Sequence, residues 1–432
     1  MLEQIFCPYC ASAQQVVDVH GHKQCVKCGI NVSPCCSGEQ ADAYEENERA
    51  VEKDNLAFSY FLLIIRGNAF RKLQKFDEAI TSYNKAIQIK PDYALAYSNL
   101  GITLMKQKNF SSALGHIANS IKLNPNSVSA QLSYNKCLAS LVPEWHTSMM
   151  NDQLRNNAYL KAIQSAVKHH SHVLEIGTGS GIISMMAARC NAKKITTCEM
   201  SPLIAQTAVE IIKENGLSKS INVVPIKSTE LKIGVDLPHR ADILVSEILS
   251  SELLGEGVLS SIEDAKHRLL YPDAQIIPRK ASVRVALFGG DDIGRFILVD
   301  NVNGFNLSKF NKIRSKKRLF NASFYNIELL SNTEDAFIFD FMDESHFLPE
   351  KKTLEMPVQT EGKCYGIIQW IHLQMDDTIT FENNPLNKTI VSGWAHVVYL
   401  FDTPLYVRAN QVIKISAIHD RNAPWFALES VL

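Results

Sequence analysis

Apolar residues along the chain change their pattern near Pro143. After this residue come four β-branched runs, each followed by a stretch of helical character: HVLEIG, KITTCEM, INVVPIK and ADILVSEIL. Strands that alternate with helices predict a parallel sheet wrapped by helices. From about Arg279 onward, apolar or alternating runs follow one another with turn residues between them: KASVRVALF, AFIFDFM, GIIQWIHLQM, HVVYLF and QVIKISAIH. These runs predict an antiparallel β domain at the end of the chain.

A repeat with a period of 34 residues precedes this alternation. The lines KFDEAITSYNKAIQIKPDYA and NFSSALGHIANSIKLNPNSV align along their whole length. Five pairs of identical residues stand one period apart: Gly67 and Gly101, Phe76 and Phe110, Ala79 and Ala113, Ile87 and Ile121, and Pro91 and Pro125. Small residues between helices, an aromatic at the turn and a proline after the second helix are typical of tetratricopeptide repeats. The pattern leaves two roles open, a concave peptide-binding groove and a spacer.

Six of the ten cysteines fall in the first 36 residues. Cys7 and Cys10 form one CxxC pair, and Cys25 and Cys28 form a second pair fourteen residues later. Two such turns can direct four thiolates at one tetrahedral Zn²⁺, so the spacing predicts a structural zinc ribbon. A redox pair is the alternative, but that motif occurs singly and in a βαβ context. Because so small a ribbon cannot close a hydrophobic core, we expect the metal to hold it together.

Composition excludes some classes of partner. The chain has 44 Lys and Arg against 45 Asp and Glu, so no overall field draws it to nucleic acid or to a membrane surface. The N-terminus lacks a basic stretch with an apolar core, and no run of about 18 apolar residues occurs. We expect a protein of a reducing compartment, the cytoplasm, with the nucleus as a further site in a eukaryote.

A Gly-rich turn after the first predicted strand is the first candidate for chemistry. Gly177, Gly179 and Gly181 follow the run VLEI and precede the helical stretch IISMMAARC. Glycine lets the backbone approach a ligand where a Cβ would collide, in dinucleotide and S-adenosylmethionine sites alike. Glu199, at the end of the next strand, can accept both ribose hydroxyls of an adenosyl group. Because no hydride-transfer machinery is visible elsewhere, these residues favour S-adenosylmethionine.

The segment SEILSSELLGEG after the fourth strand is the second candidate. Open α/β sheets bind ligands beyond the carboxyl ends of their strands, so Glu247 and Glu256 should lie near the methyl group of the cofactor. Paired carboxylates can bind a guanidinium bidentately and fix its orientation. They can also localise its charge on the far nitrogens, so that one lone pair faces the sulfonium methyl and transfer depends on positioning. We expect Glu252, between them, to face solvent.

From about Trp145 to the C-terminus, the chain resembles the protein arginine methyltransferase family. The nine-residue separation of Glu247 and Glu256 matches the double-glutamate hairpin of that family. Tetratricopeptide repeats before such a core, and the GEG at the end of the hairpin, resemble the subgroup named protein arginine methyltransferase nine. The resemblance implies methyl transfer from S-adenosylmethionine to arginine ω-nitrogens of a protein with an exposed arginine.

The resemblance also implies contacts to the cofactor. Met149 would pack near the sulfonium, Arg155 would bind the carboxylate, and Asp152 and Tyr159 would shape the pocket. It also implies that Glu175, Gly177 and Gly179 contact the methionyl portion of the cofactor. Glu199 would contact the ribose, and Thr229 and Glu230 would contact adenine.

The chain departs from the family pattern in the β domain. A Thr-His-Trp loop is usual, and Ser392-Gly393-Trp394 stands in its place, without the histidine that joins the hydrogen bonds beside the hairpin. This loss puts the rate and the product in question. His396 would face the same side as Trp394 if both lay on one strand. Val258 follows the GEG where enzymes that make asymmetric dimethylarginine generally have methionine, so we expect monomethyl or symmetric dimethyl products.

A second departure concerns the number of catalytic modules. Related subgroups often carry two, and this chain has one. Relatives with a single module dimerise through an arm, for which KFNKIRSKKRLFNASFYNIELL is the candidate here, and we therefore expect a homodimer.

These features divide the chain into four predicted domains. They are a zinc ribbon (1–40), tetratricopeptide repeats (56–140), a Rossmann-like S-adenosylmethionine-binding methyltransferase domain (141–279) and a β-barrel-like substrate and dimerisation domain (280–432). We expect the repeats to bind a peptide or protein partner. Two other functions stay open: methylation of another nucleophile, and a non-catalytic adaptor with a vestigial methyltransferase core.

Overall fold

The computed structural model describes residues 16–19, 22–27, 59–388 and 392–432. The chain divides into two compact units, Met1–Ser140 and Leu141–Leu432. In the first unit, β1 (Val16–Val19) pairs antiparallel with β2 (His22–Cys25). Cys25 is buried, whereas the predicted zinc ligands Cys7, Cys10 and Cys28 lie outside the described residues. Among the described residues, no group of three or more His, Cys, Asp or Glu side chains is arranged to hold a metal ion.

Consecutive helices follow in the first unit and have the pattern of tetratricopeptide repeats. Residues 59–72 are helical (α1), and the helices after them are α2 (Phe76–Ile89), α3 (Ala94–Lys106), α4 (Phe110–Leu123) and α5 (Val128–Leu141). The repeat glycines stand where helices touch. A Cβ on Gly67 would lie 2.4 Å from the Tyr83 ring, and one on Gly101 would lie 2.4 Å from Ile117. The 34-residue period of the glycines therefore arises from the close packing of neighbouring helices.

A parallel sheet forms the centre of the second unit. In space its strands lie in the order β5-β4-β3-β6-β7. The strands are β3 (His172–Ile176), β4 (Lys194–Cys198), β5 (Ile221–Val224), β6 (Ala241–Ser246) and β7 (Leu270–Ile277). The helices are α6 (Trp145–Asn151), α7 (Gln153–Ala166), α8 (Ile182–Arg189), α9 (Pro202–Glu214) and α10 (Val258–Arg268). The predicted alternation is confirmed. The strand order reverses between β3 and β6, which is where open α/β sheets bind ligands.

An antiparallel β domain completes this unit, as predicted. Its larger sheet contains β8 (Lys280–Gly289), β11 (Lys317–Phe320), β12 (Glu328–Leu329), β13 (Glu334–Asp340), β15 (Gly362–Gln374), β16 (Thr380–Glu382) and β17 (His396–Val407). Its smaller sheet contains β14 (Glu350–Pro357), β18 (Val412–His419) and β19 (Pro424–Val431). Between β8 and β11 lie α11 (Asp291–Ile297) and a hairpin of β9 (Asn301–Val302) and β10 (Phe305–Asn306).

Two consequences of this arrangement bear on function. Of the segment predicted as an arm, β11 pairs with β17 at the edge of the larger sheet, so that part belongs to the β domain itself. One hydrophobic core runs from the parallel sheet into the β domain and includes Leu174, Ile243, Val283 and Trp394. Because the two parts share a core, loops from both can be held in fixed positions around one site.

No helix in the described part of the chain is long and apolar enough to span a bilayer.

Candidate active site

The Gly-rich turn between β3 and α8 has the backbone that its sequence predicts. Gly177, Gly179 and Gly181 have φ angles of 90°, 51° and 79°, a region that L side chains rarely adopt. A Cβ on Gly177 would lie 2.7 Å from Ile248, so this glycine also allows the hairpin to approach the turn. A Cβ on Gly179 would meet nothing within 4 Å. The open space above Gly179 is where a ligand can approach the backbone.

Glu199 is held in place by this turn. Its Oε2 accepts a hydrogen bond from the backbone N–H of Gly179 at 3.2 Å, and its Oε1 accepts one from Ser201 N–H at 2.9 Å. Each carboxylate oxygen keeps further acceptor capacity. A rigid carboxylate of this kind beside an open glycine turn fits the two ribose hydroxyls of an adenosyl group.

Glu175 lies beneath the turn. It is only 1% exposed, and its carboxylate accepts a hydrogen bond from the Ser184 hydroxyl of α8. Burial raises the pKa of Glu175 to about 7; Ser184 and Thr197 lower it, and the charge of Glu199 raises it further. Glu175 therefore acts on the site through its charge and through its hydrogen bond with Ser184 of α8, while almost none of its side chain is exposed.

Arg155 and Glu247 meet across the end of the sheet. Nη1 of Arg155 donates to Oε2 of Glu247 at 3.0 Å, although the residues are 92 positions apart. Nε and Nη2 of Arg155 both donate to Oδ1 of Asn156, at 3.2 and 2.8 Å. A guanidinium has five N–H donors, so Arg155 retains donors for an anionic group such as the carboxylate of a cofactor. Tyr159, on the same helix, donates to the Ser246 carbonyl at 3.0 Å and fixes α7 to the end of β6.

Two glutamates of the hairpin carry perturbed carboxyl groups. Burial raises the pKa of Glu247 to about 8, Arg155 opposes this, and Glu256 and Glu175 add to it. The pKa of Glu256 is also raised, by partial loss of water and by the charge of Glu199, although its side chain is exposed at the open site. Like-charged carboxyl groups gathered in one place favour a cationic ligand, because a cation relieves their repulsion.

The backbone of the hairpin is constrained. Leu253 and Glu256 have positive φ angles of 73° and 63°, which is uncommon for residues with side chains. The Ser250 hydroxyl accepts hydrogen bonds from the N–H groups of Glu252 (3.2 Å) and Gly255 (3.0 Å). Gly255 has no room for a Cβ, which would lie 2.5 Å from that same hydroxyl. These contacts present Glu256 at a fixed angle.

The expectation that Glu252 faces solvent was wrong. Its carboxylate forms an ion pair with Lys317 of β11, with Nζ and Oε2 2.5 Å apart, and its side chain is 19% exposed. The sequence did not reveal this contact because the residues are 65 positions apart and belong to different domains of the fold.

The barrel loop at residues 392–395 touches both the hairpin and the helices before β3. Trp394 Nε1 donates to the Leu249 carbonyl at 2.7 Å, and the N–H of Ala395 donates to Ser251 Oγ at 2.9 Å. Ser392 Oγ and the N–H of Gly393 both donate to Oδ2 of Asp152, at 2.9 and 3.0 Å. The loop thus connects the hairpin to the helices before β3 without a histidine.

His396 does not take the place of that histidine. It is buried; its Nδ1 accepts from Ala322 N–H at 3.1 Å, and its Nε2 lies 2.8 Å from the Asn383 carbonyl. Burial lowers its pKa to about 4, so it is a neutral residue whose two nitrogens are both used by backbone groups.

Two predicted adenine contacts lie on the segment after β5. Thr229 and Glu230 belong to the 3-10 turn Ser228–Glu230 and are exposed. They line an open cavity of about 500 Å³ together with Lys232, Asp236 and Arg268. None of the Gly-rich turn residues lines that cavity, and the adenine contact of Thr229 and Glu230 stays a prediction.

Three contacts at the site were not predicted from the sequence: those of Ser184, Ser392 and Lys317. Ser184 has a local signal, because it stands nine residues after Glu175 on the helix that the Gly-rich turn begins. Ser392 and Lys317 have none, because their partners Asp152 and Glu252 are 240 and 65 positions away.

Comparisons with known proteins agree with this geometry. A TPR repeat model matches residues 67–108, and the model described as Ribosomal protein L11 methyltransferase (PrmA) matches residues 157–277. The "Arginine N(omega)-methyltransferase" of Streptomyces achromogenes subsp. streptozoticus is 32% identical over 275 residues, which are 63% of this chain and 75% of that protein. "Protein arginine N-methyltransferase 9" of Mus musculus is 27% identical over 365 residues, which are 76% of this chain and 42% of that protein. The chain thus covers three quarters of the first relative and less than half of the second.

Two solved structures share the fold over about two thirds of this chain. The "Trypanosoma brucei PRMT1 enzyme-prozyme heterotetrameric complex with AdoHcy" aligns with a TM-score of 0.52 and 22% identity, over 64% of this chain and 89% of that one. Protein Arginine Methyltransferase 10 of Arabidopsis thaliana aligns with a TM-score of 0.53 and 17% identity, over 63% of this chain and 86% of that one.

Proposed function

Because the chain belongs to the protein arginine methyltransferase family, we propose that its site methylates arginine ω-nitrogens of a protein, with S-adenosylmethionine as the methyl donor. The donor supplies an electrophilic methyl group on a sulfonium. Glu199 accepts its ribose hydroxyls, Gly179 gives its methionyl portion access to the backbone, and Arg155 offers its remaining donors to its carboxylate. We assign Met149 to the sulfonium and Tyr159 to the wall of the pocket on the family resemblance.

Glu247 and Glu256 bind and orient the acceptor. An arginine guanidinium is a planar cation with pKa above 12, and its lone pairs are delocalised. Two carboxylates that hold its outer nitrogens draw the positive charge toward themselves and leave one nitrogen as the nucleophile. The rate then depends on alignment, which the constrained hairpin provides.

One observation carries this proposal above all others. Arg155, Glu247 and Glu256 are gathered at the carboxyl end of β6, beside the Gly-rich turn, and both glutamates have raised pKa values. Burial and, after it, the neighbouring carboxylates disfavour ionisation of both groups, and a permanent cation offsets both effects. A neutral or anionic acceptor would not supply that charge.

Methyl transfer to matched peptides tests this function. The full-length protein would be given S-adenosylmethionine with a labelled methyl group and a peptide with one arginine, or the same peptide with lysine there. We expect label only in the arginine peptide. Label on lysine, or only on a small molecule, would overturn the assignment.

We further propose that the products are monomethylarginine or symmetric dimethylarginine, because Val258 follows Gly257 at the end of the hairpin. Amino-acid analysis of the labelled peptide distinguishes the products. Asymmetric dimethylarginine would contradict this part alone and leave the arginine assignment intact.

For the N-terminus we propose a structural zinc ion bound by Cys7, Cys10, Cys25 and Cys28. The support is the spacing of the two CxxC pairs and the antiparallel hairpin that ends at the buried Cys25. Metal analysis should find one zinc per chain, lost in Cys25→Ser and kept in the matched control Cys190→Ser. Zinc content that Cys25→Ser does not change would refute the site.

We propose homodimerisation through the first part of the predicted arm, residues 309–316, together with the β9–β10 hairpin before it. Phe305, Phe310 and Ile313 in this segment are 71%, 67% and 77% exposed, an apolar surface that favours association. Sedimentation should show a dimer that Ile313→Asp dissociates and that the control Leu348→Asp, at an exposed apolar residue elsewhere, leaves intact. A monomeric wild-type protein would contradict the proposal.

We also propose that the repeats bind a peptide or protein partner and that the protein acts in the cytoplasm. The support for the first is the match of a TPR repeat model to residues 67–108, because stacked repeats form extended concave binding surfaces.

A further inference from the structure

Asp152 occupies a junction between the helices before β3 and the barrel loop. Its Oδ1 accepts from the backbone N–H of Arg155 at 3.0 Å and so caps α7. Its Oδ2 accepts from Ser392 Oγ at 2.9 Å and from Gly393 N–H at 3.0 Å. Asp152 is 2% exposed, so these hydrogen bonds lie out of water. One carboxylate therefore fixes the start of α7 to a loop 240 residues further along the chain.

The other side of this loop is attached to the double-glutamate hairpin. Trp394 donates to the Leu249 carbonyl and Ala395 donates to Ser251, at 2.7 and 2.9 Å. Leu249 and Ser251 stand two and four residues after Glu247. The loop is thus bound on one side to the helix that carries Arg155 and on the other side to the segment that carries Glu247.

Gly393 is the point of closest approach. A Cβ at this residue would lie 2.4 Å from Sδ of Met149 and 2.7 Å from Cα of Met149. The side chain of Met149 could move, but its Cα belongs to the backbone of α6, so α6 or the loop would have to shift. Any residue other than glycine at 393 is therefore incompatible with the observed seating of α6.

We infer that Asp152 and the loop Ser392–Ala395 form a clamp that positions Arg155 against Glu247, and that Gly393 allows the clamp to close on Met149. Asp152 and Ser392 are positioning residues, since they act through Arg155 and Glu247. This inference rests on the proposed function, because it assigns the clamp to the same methyl-transfer site.

The space beside the clamp is too small for another side chain or a ligand to link the loop to Asp152. A cavity lined by Asp152, Asn383, Ser392 and His396, among others, has a volume of about 20 Å³. That is space for about one water molecule. The hydrogen bonds of Ser392 and Gly393 are therefore the direct link between the loop and Asp152.

Two pairs of variants test the clamp. Ser392→Ala removes one hydrogen bond to Asp152, and Ser392→Thr keeps the hydroxyl. Gly393→Ala adds a Cβ against Met149, and Gly115→Ala adds one in α4 where nothing lies within 4 Å. Circular dichroism would establish that each variant is folded.

The informative readout is the pH profile of kcat/KM. The charged and titratable groups that act on Glu247 are Arg155, Glu256, Glu175 and Tyr159. A loosened Arg155 would stabilise the Glu247 carboxylate less, so the acidic limb of the profile should move to higher pH by about half a unit in Ser392→Ala. We also expect kcat to fall about tenfold in Ser392→Ala and about 100-fold in Gly393→Ala. Ser392→Thr and Gly115→Ala should resemble wild type.

Two outcomes would refute the proposed clamp. If wild type methylates arginine and Ser392→Ala keeps its rate and pH profile, the clamp is wrong and the proposed function stands. If wild type methylates no arginine, the proposed function fails, and calorimetry with S-adenosylhomocysteine decides the clamp. About tenfold weaker binding in Gly393→Ala, with unchanged binding in Gly115→Ala, would support it; equal binding in both would refute it.

Discussion

The site has two halves that are assembled by different means. Its cofactor half is local: the bonds from Gly179 to Glu199 and from Ser184 to Glu175 join residues 20 and 9 positions apart. Its acceptor half is distant: Arg155 reaches Glu247 over 92 positions, and Trp394 reaches Leu249 over 145. A strand, a turn and a helix can build the first half. Only the closed tertiary structure of the second unit can build the other.

This difference implies separable functions. Substitutions in the local half should weaken cofactor binding and leave the acceptor geometry in place. Substitutions of the hairpin carboxylates in the distant half should stop transfer and leave cofactor binding in place, whereas Arg155 and the barrel loop serve both halves.

The largest effect is expected for Glu247→Gln. Loss of the carboxylate removes the charge that orients the guanidinium, and we expect kcat to fall about 1,000-fold. Affinity for S-adenosylhomocysteine, measured by calorimetry, should change less than about threefold, because Glu199 and the Gly-rich turn are untouched. Glu361→Gln, at an exposed residue in the β domain, is the matched control. A variant that kept a tenth of the activity would show that the two halves are not divided in this way.

A change in the cofactor half should produce the opposite pattern. Glu199→Ala removes the acceptor of the ribose hydroxyls, and each hydrogen bond to a charged group is worth about 1.5–3 kcal/mol. We expect the Kd for S-adenosylhomocysteine to rise about 100-fold, with the control Glu210→Ala, on the exposed face of α9, near wild type. Unchanged affinity would remove Glu199 from the site.

The same contrast explains which parts of the site could be predicted from the sequence. The GxGxG turn, the position of Glu199 and the alternation of strands and helices all follow from local patterns, and the structure has them. The pairing of Glu252 with Lys317 and the part played by Gly393 were not predictable. Both depend on which residues of the β domain meet the hairpin, and no periodicity along the chain contains that information.

The hairpin itself lies between these cases. The spacing of Glu247 and Glu256 was visible in the sequence, and their chemistry suggested a guanidinium. Their raised pKa values were not visible, because they arise from burial and from Glu175 and Glu199, which reach the same place from other strands.

A pH dependence follows from those values. A carboxyl group whose pKa is raised to about 8 is protonated below that pH and loses the charge that binds the cation. Activity should therefore be complete above about pH 8 and fall about tenfold per unit as the pH decreases below it. The raised pKa of Glu256 acts in the same direction. Cofactor binding should follow this limb only weakly. A kcat/KM that stayed constant down to pH 6 would contradict this role for Glu247.

The smallest effect is expected where the hairpin meets β11. Glu252→Gln breaks the ion pair with Lys317, and the pair lies partly in solvent. We expect kcat to fall about threefold, with cofactor affinity unchanged. The double variant with Lys317→Gln should lose no more than either single variant, because both remove one interaction. Additive losses would show that the ion pair does not position the hairpin.

The most direct test of the central claim is a crystal structure with S-adenosylhomocysteine and an arginine peptide. We expect the guanidinium to lie between Glu247 and Glu256, with nitrogen to oxygen distances of about 2.7–2.9 Å and one nitrogen facing the sulfur of the cofactor. A guanidinium bound elsewhere, with Glu247 still paired only to Arg155, would contradict it.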